Sequence, residues 1–160
     1  NIHDAGNPYS YYRNIMNYLD VNDLNILKIH NSLFLYEMLR QQMHHNTKPP
    51  HIIVLECKDN YKKNTIIQME LNNENIKYEL DSACIIDTKG NHFCGVLHIN
   101  NIEYGFDGSS SKRLEPFKWM SLLNKNKNWT FKGTNIDVSL SDYCEWNFTK
   151  SYCLLFYYRV

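Results

Sequence analysis

The chain has no net charge to work with: 17 Lys and Arg residues balance 17 Asp and Glu residues over 160 positions. No global field therefore draws it to nucleic acid or to an anionic membrane, and its partners must be recognised locally. No apolar run approaches the roughly 20 residues of a membrane span, and no N-terminal apolar segment with a small-residue cleavage site is present. The five cysteines are odd in number and include no CxxC pair. That speaks against a disulfide framework and a paired zinc motif, and a reducing interior, cytoplasmic or nuclear, is expected. Internal repeats, low-complexity tracts and linkers are also missing, so residues 1–160 read as one domain. Its 43% hydrophobic and 14% aromatic content suits a packed core.

What is present divides into a helical front and a strand-rich back, the pattern of an α+β domain. After the turn chemistry of Asp4-Ala5-Gly6-Asn7-Pro8, Tyr11, Ile15, Met16 and Leu19 recur at helical spacing, which places a helix start near Ser10. Asn31 to Met43 gives a second helix, with Leu33, Phe34, Met38 and Leu39 as its apolar stripe and Lys48-Pro49-Pro50 as its stop. His51-Ile52-Ile53-Val54-Leu55 is a β-branched run fit for a buried strand. Residues 66–71, 77–86, 92–99, 102–107 and 151–158 continue as strands, and Phe117 to Leu123 reads as a short helix or turn. Asn100-Asn101 is a hairpin signal, because Asn tolerates positive φ.

Two residues in that hairpin carry chemistry. His92 follows the turn Asp87-Thr88-Lys89-Gly90-Asn91, and Asp107 closes the next strand. Antiparallel pairing about Asn100-Asn101, given a small shift in register, brings imidazole and carboxylate within reach. A histidine oriented by a carboxylate on a rigid sheet is a general base held in one tautomer. A strand end followed by a turn explains the same two residues without catalysis.

Several segments, in order, resemble the ubiquitin-specific protease family and the related USP-like SUMO isopeptidases. Pro49-Pro50-His51-Ile52-Ile53-Val54-Leu55 looks like the family strand that follows proline, and Tyr78-Glu79-Leu80-Asp81-Ser82-Ala83-Cys84-Ile85-Ile86 is similar to its "YxLxAVI" strand. Gly90 to Phe93 resembles the "GHY/GHF" box of the catalytic histidine, and Phe106-Asp107-Gly108 the "FDD" box whose first acid orients it. Ser151 to Arg159 resembles the closing "AYxLFYxR" strand. The likeness covers residues 48–108 and 150–159. It implies a papain-like cysteine peptidase fold, with N-terminal helices packed on a C-terminal antiparallel sheet. It also implies an isopeptidase acting on ubiquitin or a ubiquitin-like modifier, with His92 as base and Asp107 as orienter.

The front end departs from that pattern. The family's "GNTCYxNSxLQxL" box sets cysteine at a helix N-terminus, where the dipole favours thiolate. Here the matching stretch runs from Gly6 to Leu19. Aligning the helix puts Ser10 under the cysteine, aligning Gly6-Asn7 puts Tyr9 there, and the helix match is the better one. Ser10 is equally a favoured helix N-cap. The oxyanion asparagine of the family falls near Asp4, with Asn7 as the candidate substitute.

Too few residues separate Ser10 from His92 to hold the family's zinc-bearing fingers, so no metal and no cofactor are expected. His44 and His45 read as a solvated helix end, and Cys84, Cys94 and Cys153 as core thiols. Cys57 and Cys144 are left open. Three functions remain: a deconjugating isopeptidase whose nucleophilic cysteine is replaced, a pseudo-peptidase that binds a modifier or another protein, and an unrelated α+β interaction domain. None calls for nucleic acid or a membrane.

Overall fold

The computed structural model describes residues 26–29, 35–45, 48–58, 61–108, 113–131 and 144–160. Eight strands form one sheet: β1 (Ile26–Ile29), β2 (Ile52–Cys57), β3 (Ile66–Leu71), β4 (Glu74–Ile86), β5 (Phe93–Ile99), β6 (Ile102–Phe106), β7 (Glu115–Pro116) and β8 (Cys153–Arg159). Their order is β1-β2-β8-β4-β5-β6-β7, with β3 paired to β4. Every pairing is antiparallel except β1 with β2. One α-helix, α1 (Leu35–His45), and one 3-10 turn (Met120–Leu122) complete the elements among the described residues.

This overturns the expected α+β, papain-like arrangement of N-terminal helices on a C-terminal sheet. The described chain is mostly antiparallel sheet with a single helix, a small all-β-like fold. One strand goes unassigned in the sequence, and the segment expected to be a short helix or turn takes the form of a turn. Ile26-Leu27-Lys28-Ile29 is too short a run for periodicity to assign, yet it pairs in parallel with Ile52–Leu55. Phe117 to Leu123 closes only a 3-10 turn, its Leu122 and Leu123 N–H groups donating to the Trp119 and Met120 carbonyls. The expected first helix lies outside the described residues, as do Asp4, Asn7, Tyr9 and Ser10. No described helix is long and apolar enough to cross a membrane.

β4 is the spine. One edge pairs with β8, while the other takes β3 along its first half and β5 along its second. A register shift between Leu80 and Ser82 explains how thirteen residues keep one buried face. Ile76, Tyr78 and Leu80 face the core before it, and Ala83 and Ile85 after it, so the extra residue Asp81 moves the alternation from even to odd positions. Asn72-Asn73 and Asn100-Asn101 close the flanking hairpins, all four with φ between 49° and 65°. Those angles are the left-handed pair that a two-residue turn needs, and Asn adopts them at low cost.

The main core gathers side chains of the sheet, of α1 and of an aromatic layer, and in β2 and β8 the other face is buried too, at Val54 and Leu154. Ile53, Leu55, Leu155 and Tyr157 belong to it, together with Leu39 of α1. Tyr78 and Tyr157 are buried but donate their hydroxyls to the Pro50 and Asn64 carbonyls, each at 2.6 Å. Burial pushes the Tyr78 phenol up to about 12, despite the Arg159 cation nearby. The aromatic layer is built by the chain around 117–131 and 144–148. Trp129 and Trp146 exchange two backbone hydrogen bonds of 2.8 Å, and their rings stack with centroids 5.6 Å apart.

Phe131 lies flat on Gly105, where an added Cβ would meet its ring carbons at 3.2 to 3.3 Å. A side chain there needs the ring to give by a few tenths of an ångström, and Phe131 is itself packed against Phe117, Trp129 and Trp146. Gly105→Ala is expected to destabilise the protein by about 1–3 kcal/mol, as overpacking does, read as a lower urea midpoint with an unchanged slope.

Candidate active site

The β5–β6 register decides which side chains meet. Gly95 pairs with Phe106 and Ile99 with Ile102, so the same ladder sets position 94 opposite 107 and leaves 92 as a diagonal neighbour on the same face. The small shift expected from sequence is this diagonal step. His92 Nε2 donates to Asp107 Oδ1 at 2.6 Å. The carboxylate is shielded, with a side chain 7% exposed, while the imidazole is 32% exposed. An orienting group is thus kept out of water and the group it orients remains reachable. The Trp146 ring flanks the imidazole, centroids 6.4 Å apart and planes tilted by 50°.

The approach to His92 is held just as firmly. Asp87 Oδ1 accepts the N–H groups of Asn91 (2.7 Å) and His92 (3.0 Å), and the Asp87 N–H donates to the His92 carbonyl at 2.7 Å. Gly90 turns the loop at φ 76°, and the Thr88 N–H ties it to the Glu145 carbonyl beside Trp146. Burial alone would raise the Asp87 carboxyl, but the N–H groups of His92 and Asn91, with the nearby imidazole, hold it below its ordinary value of 3.8. A carboxylate depressed on folding stabilises the native state fully above its unfolded value. That contribution is lost as pH falls through the lower folded value. Asp87→Asn is therefore expected to flatten the acid limb of the stability curve below about pH 4, as measured by urea melts across pH.

Cys94 stands opposite the carboxylate but is no nucleophile. Burial, then the Asp107 charge, pushes its thiol well above the ordinary range, so thiolate is suppressed. Burial raises Cys84 as well, and Cys153 is fully buried. Among the described residues no group of three or more His, Cys, Asp or Glu side chains is placed to hold a metal ion.

No protein-family model matches the chain, and no curated protein matches it either. The site rests on its own geometry. His92 and Asp107 are brought together, while Ser10 and Asn7 lie outside the described residues. Sequence reasoning missed Asp87 and Trp146. An aspartate opening a tight loop that ends at His92 was a signal for Asp87, because Asp side chains bond backbone N–H groups a few residues on. Trp146 gave none, since its place beside His92 depends on the Trp129–Trp146 bridge.

Proposed function

We propose that this chain carries the catalytic base and orienter of a deconjugating isopeptidase for ubiquitin or a ubiquitin-like modifier but lacks its nucleophilic cysteine, with Ser10 standing in that place. His92 is the general base and Asp107 its orienter. The 2.6 Å contact from the half-exposed imidazole to the buried carboxylate supports this reading most directly. With Nε2 engaged by Asp107, a proton taken from the nucleophile goes to Nδ1. The carboxylate holds the ring in that tautomer and stabilises the imidazolium. The step is acyl transfer at the C-terminal glycine of the modifier, the candidate oxyanion donor is Asn7, and no metal or cofactor takes part. The setting is cytoplasmic or nuclear.

Serine in a thiol site usually abolishes turnover, because a hydroxyl needs a stronger base than an imidazole tuned for thiol. That residue at position 10 favours a second reading, a pseudo-peptidase that retains the modifier or holds another protein without cleaving it. Ser10→Cys separates the two. Covalent capture of C-terminal electrophiles of ubiquitin or SUMO by the variant, seen as a mass shift absent from the unaltered chain, is the result expected of the isopeptidase. Binding of the modifier without capture supports the pseudo-peptidase.

A further inference from the structure

We propose that Asp87 is the positioning residue of this site, setting His92 onto Asp107 by holding the backbone that carries the imidazole. The inference rests on the reading of His92 as base. Its observable is nevertheless the ring itself.

His92 lies outside the β5 ladder, which begins at Phe93. Its place is instead set by a closed pair with position 87. Asp87 gives its N–H to the His92 carbonyl and takes the His92 N–H on its carboxylate, one step beyond the Ile86–Phe93 pair that ends the β4–β5 ladder. A side-chain oxygen thus substitutes for a backbone acceptor. The same Oδ1 also takes the Asn91 N–H, fixing two consecutive peptide planes before the ring. Asp87 is 3% exposed, and a carboxylate so placed is costly unless its oxygens are hydrogen-bonded. The loop is tied across to Glu145, next to the Trp146 ring that flanks the imidazole. Carboxylate, loop and indole converge on one coordinate, the direction in which Nε2 points. Because the imidazole–carboxylate bond is short and directional, displacing the His92 backbone moves Nε2 off Oδ1.

The test reads the His92 ring by long-range 1H–15N NMR in four proteins. In the unaltered chain a predominant Nε2–H tautomer with a downfield, hydrogen-bonded proton is expected, and Asp107→Ala is expected to abolish that proton signal. Asp87→Ala, which leaves Asp107 in place, is expected to weaken the signal severalfold and mix the tautomers. Asp87→Asn, whose carbonyl oxygen still accepts both N–H groups, is expected to restore it. In the Ser10→Cys background, Asp87→Ala is expected to slow electrophile capture about a hundredfold, the penalty for a misplaced catalytic group. If Asp87→Ala lowers the melting temperature but leaves the signal and tautomer unchanged, Asp87 is merely structural and the proposal is overturned. Loss of the signal in Asp87→Asn equal to that in Asp87→Ala also overturns it. Should Asp87→Ala not fold, Asp87→Ser, which keeps one weaker acceptor, is read by the same criterion. Failure of Ser10→Cys to capture any probe removes the isopeptidase reading, while the ring signal still decides the role of Asp87.

Discussion

In the Ser10→Cys chain, Asp107→Ala is expected to slow capture of a ubiquitin or SUMO C-terminal electrophile by about 10²- to 10⁴-fold, the range a positioned base contributes. The loss arises in two ways. Without the carboxylate nothing selects the Nε2–H tautomer, so the nitrogen that takes the proton is occupied for part of the time. The imidazolium that forms also loses the charge that stabilises it. Asp107→Asn preserves shape but can present an amide N–H to Nε2, which favours the opposite tautomer, so it is expected to be about as slow as alanine. Folding provides the control. Asp107 sits beyond the end of β6, and the β5–β6 ladder from Gly95–Phe106 to Ile99–Ile102 does not use its side chain. Capture measured on folded protein, checked by circular dichroism, isolates the chemical effect.

The second large effect concerns stability. Trp119 is fully buried under the sheet, its indole N–H donates to the Leu97 carbonyl at 3.0 Å, and its ring packs 6.2 Å from that of Phe148. Trp119→Ala is expected to cost about 3–5 kcal/mol, a transfer and cavity loss to which the unpaired carbonyl adds. A loss of that size is a large share of the stability of an ordinary domain. Trp119→Phe keeps most of the volume and loses the hydrogen bond, so it is expected to cost less than half as much. Urea melts of the three proteins check the order. A Trp119→Ala chain within 1 kcal/mol of the parent would show that the aromatic layer is not part of the cooperative core.

How much of this was legible in the sequence depends on the kind of signal each element carries. β3 was readable to the residue, because Ile66 to Leu71 alternates between solvent and core and is bounded by Asn72-Asn73. The β5–β6 hairpin was readable for the same reason, and with it the proximity of His92 and Asp107. The overall class was not. Helical periodicity over 10–19 and 31–43 suggested a helical front, whereas the described chain holds only α1, and the strand-rich remainder dominates. β1 escaped because four residues carry no resolvable period, and its pairing with β2 is a long-range choice. Asp81 broke the alternation of β4, and only the pairing with β8 reveals a bulge there rather than a strand end. At the site, residue type marked the imidazole and carboxylate, but their hold on the fold comes from Asp87 and Trp146, whose roles depend on tertiary contacts.

Three of the five native thiols are poorly placed to compete in the chemical test. Cys84 and Cys94 are pushed up by burial, and Cys153 is fully buried, so these three react slowly beside a cysteine installed at position 10. The most direct measurement is the rate at which the Ser10→Cys chain captures a ubiquitin or SUMO C-terminal electrophile, with and without His92→Ala. Rapid capture that falls at least a hundredfold on loss of His92 is the result expected if the His92–Asp107 pair is a catalytic base and its orienter. Capture at the same rate without the imidazole, or none by either probe, would contradict it.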